Sequence, residues 1–269
     1  MHIEFGQKVI DFIRGKKPFS WKDELLKTGA KVIDNDIILL PNGVKMHFTK
    51  ELEYILYEIY VTNDYMFFDD KDTIFIDIGM NVASTTLYFA CKPNVKNVYS
   101  FEPFPFTYTQ ATENINLNTG FSGKVKTYNF GLSNKDETIT IPYCKQETGC
   151  MSIKNDKERL DRILPKGCTV ENVTIDIKDA ATILGPIIQE GKDNRVVIKM
   201  DTEGSEYEIF ESLESAKLFE HIDVILLEYH KGYKEIEDTL LRNDFVVFYK
   251  DNRRNEKVGM IYAVKNSRA

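Results

Sequence analysis

Residues 73–84, Thr-Ile-Phe-Ile-Asp-Ile-Gly-Met-Asn-Val-Ala-Ser, constrain the fold more than any other stretch of this chain. A short run of β-branched and aromatic residues ends in an acid and a glycine, then passes into helical spacing. That order is the strand–turn–helix unit that opens a nucleotide-binding α/β sheet. The next apolar run, 97–101, ends in Glu102, where an acid can accept hydrogen bonds from a ribose diol. The turn holds one glycine, Gly79, and Ala83 stands at the later close-approach position. A pyrophosphate needs several bare amides, so this turn is poorly built for a dinucleotide and better suited to a nucleoside without phosphates.

The alternation continues down the chain. Strands are expected near 73–78, 97–101, 125–130, 195–200, 223–229, 244–249 and 259–264. Helices are expected near 82–91, 104–118, 176–189, 204–213 and 232–242, with Pro93 and Gly120 as stops after the first two. Residues 131–175 interrupt the pattern with a strand-like 137–141, a polar loop 143–157 and a short helix 157–164, and they read as an insertion carrying a substrate loop or mobile lid. Upstream, spacing predicts a helix over 3–14, short strands over 31–48 around Asp34-Asn35-Asp36 and Pro41-Asn42-Gly43, and a helix over 50–60. Residues 1–70 form an N-terminal helical and hairpin addition, and 71–269 the main domain. The link between the last two strands has no room for a crossover helix, so that pair is antiparallel. A seven-stranded, mainly parallel sheet with an antiparallel last strand is the arrangement of the Rossmann-like class I methyltransferases.

Composition narrows the partners. A net charge of −7, with no dense basic run, argues against nucleic acid as the main partner. No apolar run approaches a membrane span, and the N-terminus does not resemble a signal peptide, so a cytoplasmic protein is expected. Cys91, Cys144, Cys150 and Cys168 include no C-x-x-C pair, which fits reduced thiols better than a zinc site. No metal is expected. Oligomeric state is left open.

In an open α/β sheet the ligand binds beyond the carboxyl ends of the strands. The first strand leaves Asp77, Gly79, Met80 and Asn81 there; the second leaves Glu102, Pro103 and Phe104; the third leaves Asn129, Phe130 and Gly131. These are the cofactor candidates, with S-adenosylmethionine as the common phosphate-free nucleoside. Asp77 would meet the cofactor ammonium or else cap the turn from a buried position. The fourth strand leaves Asp201 and Glu203, and the fifth leaves Glu228 and His230. These four are the catalytic candidates, with His230 or Glu203 as proton acceptor. The same acids could offset a helix dipole or bind a hard cation. Phe101, Phe104, Phe106, Tyr65 and Tyr108 are candidate apolar walls.

Taken in order, these motifs resemble the FkbM family of S-adenosylmethionine-dependent methyltransferases over about residues 55–265. The carriers are Asp77-x-Gly79-x-Asn81; Phe101-Glu102-Pro103 with Asn114 and Asn118; Asn129-x-x-Leu132-Ser133; Thr174-x-Asp176; Lys199-x-Asp201-x-Glu203-Gly204-x-Glu206; and Glu228-x-His230. Met80, Ala83 and Gly131 depart from the family's alanine, glycine and alanine. The resemblance implies methyl transfer, usually to oxygen, on a small molecule or glycan, with bacterial surface-polysaccharide or capsule precursors as the favoured context. Transfer to nitrogen or to a phosphate-type oxygen, and a binding protein without turnover, are the alternatives.

Overall fold

The computed structural model describes residues 19–34, 36–67, 70–250 and 257–266. The helix expected over 3–14 lies outside them. The chain divides into two compact units, residues 1–63 and 64–269.

In the first unit, helix α1 (Trp21–Lys27) is capped by the Ser20 side chain, which accepts from the Asp23 amide. Strands β1 (Lys31–Asp34), β2 (Ile37–Leu39) and β3 (Lys45–His47) form an antiparallel meander. Its second turn closes at Asn42-Gly43, where Gly43 takes φ +86° and Leu40 accepts from the Gly43 amide. Helix α2 (Leu52–Tyr60) buries Leu52, Leu56 and Ile59, the i, i+4, i+7 stripe of an amphipathic helix.

The second unit is built on β4 (Thr73–Ile78), β5 (Val95–Phe101), β6 (Val125–Tyr128), β10 (Arg195–Met200), β11 (Val224–Tyr229), β12 (Phe245–Tyr249) and β13 (Gly259–Lys265). Their spatial order is β12-β13-β11-β10-β4-β5-β6. All residues of β4 are buried, as a central strand covered on both faces must be. Strand β13 pairs antiparallel with both β11 and β12, and the other pairs are parallel. Helices α3 (Ser84–Ala90), α4 (Pro105–Asn116), α6 (Ala180–Glu190), α7 (Glu206–Ser215) and α8 (Lys234–Arg242) link the strands. The fold is therefore the mainly parallel seven-stranded class expected.

The insertion is more regular than its sequence. Strands β7 (Gly131–Ser133), β8 (Glu137–Cys144) and β9 (Val170–Asp179) make a second sheet in the order β7-β9-β8. Helix α5 (Lys157–Ile163) lies between β8 and β9, its first turn capped by Asp156. Tyr143, Cys144, Leu160, Ile175 and Ile177 give this sheet its own core with Phe104. Two boundaries differ from expectation. The third strand stops at Tyr128, because Gly131 already belongs to the second sheet. The helix expected from 176 starts at 180, because β9 continues its ladder with β8 and buries Ile177. Asp179 then caps that helix by accepting from the Thr182 amide.

Candidate active site

A cleft of about 590 Å³, including its open mouth, lies beyond the carboxyl ends of β4, β5 and β10. Gly79 and Asn81 line it from β4, Glu102, Pro103 and Phe104 from β5, and Gly131 and Leu132 from β7. Thr148, Gly149, Met151 and Ile153 close it from the insertion, and Asp201, Thr202 and Glu203 from β10.

The β4 turn is fixed from several sides. Gly79 has φ +83°, and a Cβ there would sit 1.8 Å from the Asp201 carbonyl oxygen. Only glycine lets the ends of β4 and β10 approach this closely. The amides of Gly79 and Met80 donate to the Phe101 carbonyl, and that of Ala83 to the Met80 carbonyl. The Asn81 amide donates to Glu102 Oε2 at 2.9 Å, and the Phe104 amide to Glu102 Oε1 at 3.1 Å. Beneath the turn, Lys199 Nζ donates to the Gly79 carbonyl at 2.6 Å. It also stands 3.2 Å from Asp77 Oδ1 in a buried ion pair. Burial alone would lower the Lys199 pKa, but Asp77 and Asp201 outweigh it and hold the ammonium charged.

This geometry sorts the cofactor candidates. Gly79, Asn81, Glu102, Pro103, Phe104 and Gly131 line the cleft. Asp77 does not: it is fully buried behind the turn, held by Lys199 and by Thr86 Oγ1 at 2.6 Å. Met80 is a core residue, 2% exposed. Asn129 donates to the Glu102 and Pro103 carbonyls and so braces the second strand end from outside. Phe130 packs on Phe101 and Tyr128. Among the expected apolar walls, Phe101 and Phe104 line the cleft, whereas Phe106 is exposed and Tyr108 bonds Thr127.

Asp201, Glu203 and His230 converge at the other end. His230 Nε2 lies 3.9 Å from Asp201 Oδ1 and 3.6 Å from Glu203 Oε1. Its Nδ1 meets Glu206 Oε1 at 3.1 Å. That wholly buried oxygen also accepts from the Thr202 amide and hydroxyl and from the Gly204 amide. Burial pushes the Glu206 pKa up, but His230 and these amides outweigh it and keep the carboxyl ionised. Burial pulls the His230 pKa down, yet Glu206, Asp201 and Glu203 raise it to about 9. The ring is therefore an imidazolium at neutral pH. Glu203 is pushed up to about 7, first by burial, against the lowering influence of His230 and Arg159. Asp201, Glu203 and His230 each offer a ligand atom within 4.8 Å of the others, so a cation could be held there. Glu228 sits within β11, facing Met260 in register, and acts electrostatically on Lys199, while His230 follows the end of the strand. Glu228 is not among the residues that line the cleft.

Several contributors lie outside the candidate set, among them Lys199, Glu206, Arg159 and Ser152. Lys199 was legible, since a lysine inside Val-Val-Ile-Lys-Met must find a buried partner. Arg159 and Ser152 carry no such local signal; only the folded insertion brings them to Glu203.

Comparison with known proteins follows the same outline. A family model described as the methyltransferase FkbM domain matches residues 77–247. A protein named Methyltransferase 1 from Beauveria bassiana (strain ARSEF 2860) is 27% identical over 185 residues, covering 65% of this chain and 71% of its own. A crystal structure of methyltransferase FkbM from Methylobacillus flagellatus KT is similar with a TM-score of 0.48 at 15% identity, over 80% of this chain. The match takes in half of that longer chain, 50%. TrmK from M. capricolum, solved with S-adenosyl-homocysteine, aligns at a TM-score of 0.37 and 14% identity, over 72% of this chain and 62% of that one.

Proposed function

This chain belongs to the methyltransferase FkbM family, and from that premise we propose that it methylates a hydroxyl of a sugar, a glycan precursor or another small molecule, using S-adenosylmethionine. The observation that carries the cofactor choice is the state of the β4 turn. The amides of Gly79, Met80, Asn81 and Ala83 all have partners within the chain. Those four are not free for a pyrophosphate, which disfavours a dinucleotide. Glu102 has the opposite property. Each oxygen takes one backbone amide, and a carboxylate has about four acceptor sites, so capacity remains for two ribose hydroxyls.

When bound, S-adenosylmethionine supplies a methyl group activated by a sulfonium. The chain's task is to align an acceptor oxygen with that group and to take its proton. His230 is already protonated and cannot take it. Glu203, with a pKa near 7, can. Asp201, with Tyr65 Oη 3.5 Å from its Oδ2, orients the acceptor side. The acid-rich lining disfavours a phosphate-type acceptor by like-charge repulsion. An amine acceptor is the second reading, since the same acids would hold its ammonium form.

The test combines calorimetry with S-adenosyl-homocysteine and a screen of neutral glycosides, amines and phosphorylated sugars with labelled S-adenosylmethionine. Binding of S-adenosyl-homocysteine and labelling of glycosides are expected. No binding, or preferential binding of NAD, ends the cofactor assignment. Labelling of amines alone moves the conclusion to nitrogen. Glu203→Gln is expected to cost about 10²–10⁴-fold in turnover with cofactor affinity nearly unchanged.

A further inference from the structure

We propose that Asp201, Glu203 and His230 form a seat for one borderline divalent cation of the manganese(II), iron(II) or zinc(II) class. The seat itself does not depend on reading the cleft as a methyl-transfer site; only its use by an acceptor does. Asp201 and Glu203 follow β10, and His230 follows β11. The ligands therefore come from two neighbouring strand ends, and no short ligand spacing along the chain announces them. In each side chain a neighbour holds one polar atom and leaves another to face its companions. His230 Nδ1 meets Glu206 Oε1 at 3.1 Å, which leaves Nε2 toward the two acids. Glu203 Oε2 accepts from Arg159 at 2.8 Å, which leaves Oε1. Asp201 Oδ2 lies 3.5 Å from the Tyr65 hydroxyl, which leaves Oδ1. The remaining atoms are close together: Nε2 is 3.6 Å from Glu203 Oε1 and 3.9 Å from Asp201 Oδ1. Ligands bonded to a cation at about 2.0–2.2 Å stand about 3.0–3.6 Å apart, so the seat needs to contract only slightly.

Three observations outside the ligand atoms point the same way. A carboxylate on the far nitrogen of a metal-binding histidine fixes its tautomer and orientation. Glu206 does this from a wholly buried position, itself pinned by the Thr202 amide and hydroxyl and the Gly204 amide. Charge is the second. Asp201, Glu203 and Glu206 bring three carboxylates to the ring, and Arg159 brings one guanidinium. With the imidazole neutral, two negative charges remain, which one divalent cation balances. In the metal-free chain the second imidazole proton takes that place, so proton and cation compete for Nε2. Third, Ser205 Oγ lines the same cleft on a side chain 1% exposed and has no hydrogen-bond partner among the described residues. A buried hydroxyl in that condition calls for a partner from within the cleft, such as a water carried by the cation. The donor set fixes the class of ion. Calcium and magnesium favour oxygen alone, whereas an imidazole nitrogen beside two carboxylates suits the borderline metals. Three protein ligands leave coordination positions open, and Asp201 and Glu203 line the cleft. On the functional reading, an acceptor hydroxyl takes one of those positions. The cation would weaken its hold on its proton and so share the task given to Glu203.

Manganese(II) is the probe, titrated into the full chain and followed by loss of the free ion's electron paramagnetic resonance signal. One ion should bind per chain, and pulsed spectra of the bound ion should show coupling to one imidazole nitrogen. His230→Gln should abolish that coupling. His230→Gln and Asp201→Asn should each weaken binding by about tenfold or more, and Glu206→Gln by about 10–100-fold with the nitrogen coupling kept. His47→Gln is the control, because His47 and Asp36 make an exposed histidine–carboxylate pair elsewhere, and it should change nothing. Manganese(II) should raise the thermal midpoint of the wild type and leave that of His230→Gln in place, whose metal-free midpoint shows that the variant folds. Magnesium should displace the bound ion only in large excess. Absence of binding up to about 1 mM manganese(II) overturns the proposal. Equal binding by wild type and His230→Gln overturns it too, as does loss of the coupling in His47→Gln. Neither cofactor nor acceptor takes part in these measurements, so failure of the functional reading looks different: S-adenosyl-homocysteine then fails to bind while manganese(II) still does.

Discussion

At the scale of single residues, several side chains have environments that fix what substitution must do. Glu102 is raised to about 7 chiefly by burial, against the two amides that favour its charged form. The charged form is the one that accepts a ribose diol. Affinity for S-adenosyl-homocysteine should therefore climb as pH rises through 7 and level off above 8. Glu102→Gln should flatten that profile and weaken binding by about 1–3 kcal/mol. Calorimetry across pH 6–9 checks both, and a flat wild-type profile would remove Glu102 from the ribose. Ala83 precedes α3 with φ +70°, a left-handed conformation that costs an L-residue about 1–2 kcal/mol. Part of that is returned by the unfolded-state entropy of glycine, so Ala83→Gly should stabilise by roughly 0.5–1 kcal/mol. A fall in the urea midpoint would contradict it. Lys199→Met strands the buried Asp77 and frees the Gly79 carbonyl, and should destabilise by about 3–5 kcal/mol.

At the scale of elements, the sheet is held by shape as much as by pairing. Gly259 opens β13 opposite Tyr229, and a Cβ there would lie 2.6 Å from the tyrosine oxygen. Gly259→Ala should cost about 1–3 kcal/mol by overpacking, read as a lower midpoint with unchanged slope in urea. The central strands were legible because runs such as Thr73–Ile78 are mostly β-branched or aromatic without a period-2 alternation, as a strand covered on both faces should be. The second sheet was not. The sequence around 170–179 alternates only weakly, with five of its ten residues exposed, and its strand character comes from pairing with β8. Polarity in 143–157 reads as a free loop, yet Ser152 and Asn155 are buried because their polar groups are bonded to one another and to the scaffold. Of the site, the acids at strand ends were legible from position alone. Their division of labour was not, because it depends on Glu206 and Arg159, whose contacts with His230 and Glu203 form only on folding.

At the scale of the whole molecule, net charge and topology both have outcomes. A chain of net charge −7 with an acid-lined cleft should not retain RNA or DNA at physiological salt. A gel-shift series against tRNA with falling ionic strength tests this, and tight binding with a steep salt dependence would reverse the choice of acceptor. No helix among the described residues is long and apolar enough to cross a membrane. The sheet order has a consequence for how the protein is made. Strand β13 is the last strand of the sheet to be synthesised, yet it lies between β11 and β12. Until residue 265 has left the ribosome, β11 has one bare edge and β12 has no neighbour at all. Until then the β11 edge stays exposed in the nascent chain, a period in which stray strands can be captured and chaperones have something to shield.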